Sequence, residues 1–318
     1  MTFSFAHADK AELHVHLEGA MRPERVLQLA QALPEHPFHG LDLAALRARF
    51  RTANFGAFIQ NFMAGYRLLR RAADFQAVTE DLLADLEAMG VSRAHVLYSP
   101  GVYSQKLGVP VAEIHRGIAA GLAAAPARKL RFVVDTVLNL GVPFMTETLD
   151  RVLADRPDFV RGFSVGGGDP DLDMHAFVPL FHKASRAGLF CVAHAGEVDG
   201  PANIQTLLRE TDVRRIAHGC KAAGCPDTLA LMARRSVVVD VCLTSNLFTG
   251  TVSGLDAHPL PVFRDHGIAV TLNTDDPLYF DTDLAREYAL AREVRGIDDA
   301  ALAEMARTSL AAFDALEC

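Results

Sequence analysis

The chain has 318 residues, half of them hydrophobic and 22% charged, with a formal net charge of −8 and no tryptophan. That negative balance argues against a protein that tracks nucleic-acid phosphates. No run of about eighteen uncharged apolar residues offers a membrane span, and the length suits one large α/β barrel domain spanning 1–318. The first ten residues lack a basic region followed by an apolar core, so no signal peptide is expected. The five cysteines, Cys191, Cys220, Cys225, Cys242 and Cys318, form neither a disulfide framework nor a Cys-x-x-Cys knuckle. A reducing cytoplasm fits this usage.

In chain order, the first informative stretch is AELHVHLEGA, residues 11–20. It reads as an apolar strand, and a strand turns residues i and i+2 to one face. His14 and His16 therefore point the same way, as half of a zinc site would require. A lone His-x-His more often marks a strand meeting solvent. Here later segments add chemistry at matching points.

Residues 22–90 read as helical. Phe55, Phe58, Ile59, Phe62 and Tyr66 recur at helical spacing, and a second helix runs over 74–89 until Gly90 stops it. The apolar stripe serves equally as a lid over a site or as ordinary core. The basic group Arg67, Arg70 and Arg71 reads as a solvated helix face.

From Gly90 onward, strand-like runs at 93–99, 130–138, 160–165, 189–194, 215–218, 237–242 and 268–273 alternate with amphipathic segments. With the opening strand they make eight β units, which predicts a closed (β/α)8 barrel with a helical insertion after the first strand. An open doubly wound sheet competes poorly, because no Gly-x-Gly-x-x-Gly turn follows that strand.

Barrel enzymes keep their reactive groups where strands end. At those ends stand His14 and His16, then His194 with Glu197, then His218, then Asp275 and Asp276. Three histidines and one aspartate suit zinc and admit iron or manganese. The run 160–168 offers no lysine to bridge two metals, so one ion per chain is expected. Taken singly, Glu197 reads equally as a helix-start glutamate and Asp275-Asp276-Pro277 as a turn. An amidohydrolase for a non-purine substrate and a non-catalytic binding barrel share much of this pattern. Glu197 and His218 together favour turnover.

The segments HVHLEGA, LYSPG, HAGE, IAHG, TSN and NTDDP, in this order, resemble the adenosine deaminase family of the amidohydrolase superfamily, across residues 10–291. The His-x-Glu and Pro-Cys-x-x-Cys signature of cytidine-type deaminases is absent. The resemblance implies zinc on His14, His16, His194 and Asp275. It implies that Glu197 protonates the purine at N1, that His218 orients the attacking water, and that Asp276 bonds ring N7. Gly167 aligns with the glycine whose amide contacts N3, and Phe58 and Phe62 with the apolar lid. The expected partner is a small 6-aminopurine, with neither nucleic acid nor membrane involved.

Two departures bear on the substrate. Nucleoside-specific members usually carry aspartate at Glu18, where it holds the ribose 5′-hydroxyl. Glutamate there resembles relatives acting on free adenine or on aminodeoxyfutalosine, a modified nucleoside of menaquinone synthesis. The Gly166-to-Pro170 loop is also less polar than usual. The expectation is a nucleoside, adenosine or a close analogue, with Glu18 bordering the ribose side; aminodeoxyfutalosine and adenine are the alternatives.

Overall fold

The computed structural model describes residues 3–51, 55–168 and 170–316, with Phe55 described by its backbone alone. The expectations placed on the Phe55 side chain, on Asp169 and on Cys318 fall outside those residues.

Eight parallel strands pair in sequence order: β1 (Lys10–His16), β2 (Val91–Tyr98), β3 (Lys129–Val137), β4 (Val160–Gly166), β5 (Phe190–Ala195), β6 (Arg215–His218), β7 (Val238–Val241) and β8 (Ala269–Leu272). Seven of them match the sequence-predicted runs to within a residue or two at most ends, and β1 matches the opening stretch. The sheet closes into a (β/α)8 barrel just beyond β8. There the Asp275 N–H donates to the His14 carbonyl at 3.0 Å, and the His16 N–H to the Asp275 carbonyl at 2.9 Å. The Asn273 side-chain oxygen also accepts from the Leu13 and His14 amides, at 2.8 and 3.1 Å.

Between β1 and β2 lie helices Pro23–Gln31, Leu43–Phe50, Phe55–Tyr66 and Ala72–Ala88, the predicted insertion. Two of these starts have a local cause. Asp42 accepts from the Ala45 amide at 2.8 Å, and the Asp74 carboxylate takes the Arg70 and Arg71 amides at 3.0 and 2.9 Å. The apolar stripe of Phe55–Tyr66 divides: Phe58 and Tyr66 are buried, while Ile59 and Met63 are 39% and 49% exposed.

Five helices had no strong sequence signal: Leu243–Phe248, Leu260–Asp265, Pro277–Phe280, Leu284–Ala291 and Asp299–Ala315. The last packs Phe313 on Ala11 and Leu13, and its Ser309 hydroxyl accepts from the Ala11 amide at 2.9 Å. It thereby covers the first half of β1. No helix among the described residues is long and apolar enough to cross a membrane.

Below the strand ends, a buried polar cluster locks several strands together. Arg215 donates from Nε to Asp240 Oδ2 at 2.7 Å and from Nη2 to the Leu13 carbonyl at 2.8 Å, and Thr271 donates to Asp240 Oδ1 at 3.0 Å. Arg215 is 3% exposed and Asp240 1%. Removing one partner strands the other charge in the interior, which costs more than the pair itself contributes. Arg215→Met is therefore expected to lose about 3–5 kcal/mol of stability in urea unfolding. A loss below about 1 kcal/mol, the scale of an exposed pair, would contradict the interlock.

Candidate metal and active site

The site is built on the backbone contact that closes the barrel. To give its N–H and C=O to β1, Asp275 adopts φ +65°, and His218 at the end of β6 sits at +64°. Non-glycine residues enter this left-handed region rarely, and strained positions cluster at functional sites. The consequence here is directional. The Asp275 side chain turns back over β1, with Oδ1 3.3 Å from both His14 Nε2 and His16 Nε2. Ser245 holds the other oxygen, donating to Oδ2 at 2.7 Å.

His14, His194, His218 and Asp275 each offer a ligand atom within 4.8 Å of one another. Three of these four belong to the zinc set implied by sequence. The fourth sequence-assigned ligand, His16, meets the group through its 3.3 Å approach to Asp275. The second-sphere contacts suit a cation. His194 Nδ1 lies 2.8 Å from the Val165 carbonyl, which only accepts, so the proton is on Nδ1 and Nε2 keeps its lone pair. His14 Nε2 and His16 Nδ1 are buried without a hydrogen-bond partner.

The charge balance points the same way. Burial alone would lower His16, yet the carboxylates of Asp276, Asp275 and Asp135 outweigh it and raise the imidazole to about 10. Burial pushes the Asp275 carboxyl up, but its contacts with His14 and His16 hold it well below the usual range. Burial keeps His194 neutral, reinforced by the neighbouring His14 and His218. The Asp275 carboxylate beside the imidazoles of His14 and His194, which burial shifts toward their neutral forms, fits a divalent ion.

A cavity of about 500 Å³ opens above this group. Its floor carries His16, His194, Glu197, His218, Asp275 and Asp276; Phe58 and Phe62 form one wall and the Gly167 backbone another. Glu197 does not start a helix: it lies in the loop after β5, ahead of helix Pro201–Glu210. Its Oε2 is 3.6 Å from His218 Nε2, and burial raises its pKa. Burial, then repulsion from Asp275, raises Asp276 well above the usual carboxylate range against the pull of His16, and its Oδ1 is unpartnered. Gly167 sits at φ +73°, where a Cβ would meet Asn139 Oδ1 at 2.6 Å.

Glu18 neighbours His16, Asp135 and Asp276 but opens no surface into the cavity. It is fully buried behind the cavity wall, where Oε1 accepts from the Ser99 amide at 3.0 Å and Oε2 has no partner. Burial raises this carboxyl to about 7. The strand alternation that aims His16 at the site ends with β1 at His16, so Glu18 does not follow it.

Sequence reasoning passed over four residues. Asp135, at the end of β3, lines the cavity with Oδ1 buried and unpartnered, and burial raises it to about 6. A lone acid inside the apolar run FVVDTV was its available signal. Gly19 is pressed against Asp276, where a Cβ would come within 1.9 Å of Oδ1. Ser245 and Asn246 belong to the TSN segment, which suggested no role for either. The metal reading carries a direct check. Protein purified without added metal is expected to hold one divalent ion per chain by elemental analysis, and His194→Ala to lose most of it. Two ions per chain would contradict the mononuclear set.

Comparison with known proteins gives the following. The family model described as adenosine deaminase matches residues 9–314. A protein named adenine deaminase from Sinorhizobium medicae is 31% identical over 312 residues, covering 96% of this chain and 94% of the relative. One named aminodeoxyfutalosine deaminase from Streptomyces coelicolor is 33% identical over 308 residues, covering 95% and 79%. The crystal structure of an adenine deaminase from Arthrobacter aurescens superposes with a TM-score of 0.89 at 26% identity, covering 97% of each chain.

Proposed function

The chain belongs to the adenosine deaminase family, and from that premise we propose that it hydrolyses the exocyclic amine from a 6-aminopurine nucleoside, giving the 6-oxo purine and ammonia. The observation that carries the reading is Glu197 beside His218 on the cavity floor, at 3.6 Å, next to the imidazole and carboxylate cluster. The residues that would hold zinc are His14, His16, His194 and Asp275. The ion supplies, when bound, a water activated near neutral pH.

Addition of water at C6 breaks the aromaticity of the ring. That is tolerable only if N1 takes a proton as the new bond forms. Glu197, whose carboxyl burial shifts toward the protonated form, donates it. Asp276, shifted the same way, donates in its acid form to a ring nitrogen that can only accept. The Gly167 amide supplies a further donor from the wall. Phe58 and Phe62 cover the base and keep bulk water from the reacting carbon.

The nucleoside assignment rests on space. The cavity of about 500 Å³ exceeds what a bare purine base occupies, and it continues to an apolar mouth formed by Ile59, Met63 and Leu140. A sugar, or the larger substituent of a modified nucleoside, has room there. Free adenine is the second reading. Glu18 is withdrawn into the wall, where it offers no surface to a ribose hydroxyl, and several relatives are named adenine deaminase.

The test is loss of ultraviolet absorbance on adenine, adenosine and aminodeoxyfutalosine side by side. Turnover preferring a nucleoside supports the proposal. Turnover of adenine alone overturns the substrate and keeps the reaction; turnover of none overturns the reaction itself. In the same assay Glu197→Gln, which retains shape but carries no acidic proton, is expected to lower kcat about 10²–10⁴-fold with metal content unchanged. Near wild-type kcat would remove Glu197 from the chemistry. Because the acid form is required, kcat/KM is expected to fall as pH rises through the raised pKa of Glu197.

A further inference from the structure

We propose that His258 and Asn246 are positioning residues that hold His218 as the tautomer with its proton on Nε2, aimed into the cavity. The inference rests on the hydrolytic reading for its purpose, but its geometry stands apart from any substrate.

The chain of assignments starts from a group whose polarity is fixed. The Leu260 backbone N–H can only donate, and it lies 3.0 Å from His258 Nδ1, so Nδ1 carries the lone pair. Burial, reinforced by the proximity of His218, lowers His258 to about 4, so the ring is neutral and its one proton is on Nε2. That N–H points at Asn246 Oδ1, 3.2 Å away. The Cys220 thiol approaches the same oxygen at 3.5 Å. The amide is thus oriented from one side, which removes the usual ambiguity between its oxygen and nitrogen. Asn246 Nδ2 must then face His218, and it donates to His218 Nδ1 at 3.0 Å.

His218 Nδ1 is therefore an acceptor, and the ring proton belongs to Nε2. From there it points at the floor of the cavity, 3.6 Å from Glu197 Oε2 and 4.0 Å from Asp275 Oδ2. A protonated nitrogen donates a hydrogen bond and has no lone pair for a cation. His194 is set the opposite way by the Val165 carbonyl. The two imidazoles share one cluster, but their outer partners assign them different work. Asn246 and His258 are 0% and 3% exposed, so bulk water does not compete for these bonds.

The relay uses residues far apart in sequence. Asn246 lies on helix Leu243–Phe248, and His258 precedes helix Leu260–Asp265. Neither touches the cavity, so each acts through His218.

The experiment is nitrogen-15 NMR of histidine-labelled, metal-loaded protein without substrate, with His218 assigned by its loss in His218→Gln. Wild type is expected to show an unprotonated Nδ1 and a protonated Nε2. Asn246→Asp keeps the shape but presents only acceptors, so it is expected to place a proton on Nδ1. Its kcat should fall about 10²–10⁴-fold, with KM little changed. His258→Leu should lower kcat in the same way, and His258→Gln, which restores an N–H donor, should recover most of it.

An unprotonated Nε2 on His218 in wild type would overturn the proposal, as would an Nδ1 that stays unprotonated in Asn246→Asp. Should that variant fail to fold, the wild-type spectrum decides alone. Because it is read without substrate, it also decides if every purine proves inert, a result that would count against the proposed reaction and not against the tautomer.

Discussion

Asp275 performs two tasks that cannot be separated. Its backbone closes the barrel by exchanging hydrogen bonds with His14 and His16, and its side chain stands between the same two histidines. The left-handed conformation at φ +65° is the condition for both. A residue there in ordinary extended geometry would give up either the strand contact or the orientation of the carboxylate. Ser245 and Asn273 brace this arrangement, one holding the carboxylate and the other holding β1. Folding of the last strand against the first and assembly of the site are thus one event.

Around that point the pocket sorts its acids by environment. Asp275 is held ionised by the imidazoles it touches, while burial keeps Asp276 and Glu197 toward their neutral forms. Two adjacent carboxyls, 275 and 276, are consequently shifted in opposite directions, one toward holding a cation and the other toward donating a hydrogen bond. The histidines divide likewise, through the carbonyl behind His194 and the amide behind His218. Residue types alone carry none of this. It is created by what stands behind each group.

That distinction explains how much of the molecule was legible in the sequence. The strands read clearly because their apolar runs are nearly continuous, and His14 and His16 read through simple alternation. Glu197 was ambiguous until the loop after β5 placed it ahead of the helix start. The full burial of Glu18 was not legible because alternation gives no information beyond the end of a strand, where the Ser99 amide captures its carboxyl. Asp135 hid inside an apolar run, and its unpartnered oxygen became visible only with the cavity beside it. The link from His258 through Asn246 to His218 joins three separate segments, beyond the reach of any local pattern. Helix Asp299–Ala315 was passed over because its partners, Ala11 and Leu13, lie at the other end of the chain.

The central claim is that the contact closing the barrel also creates the cation site on β1. Anomalous diffraction at the zinc absorption edge, from crystals of protein purified without chelator, tests it most directly. The account predicts one peak in contact with Asp275 and the imidazoles of His14, His16 and His194, at about 2.0–2.2 Å from each ligand atom, with His218 outside the coordination shell. A peak bonded to His218 and clear of His16, or one that does not touch Asp275, would contradict it.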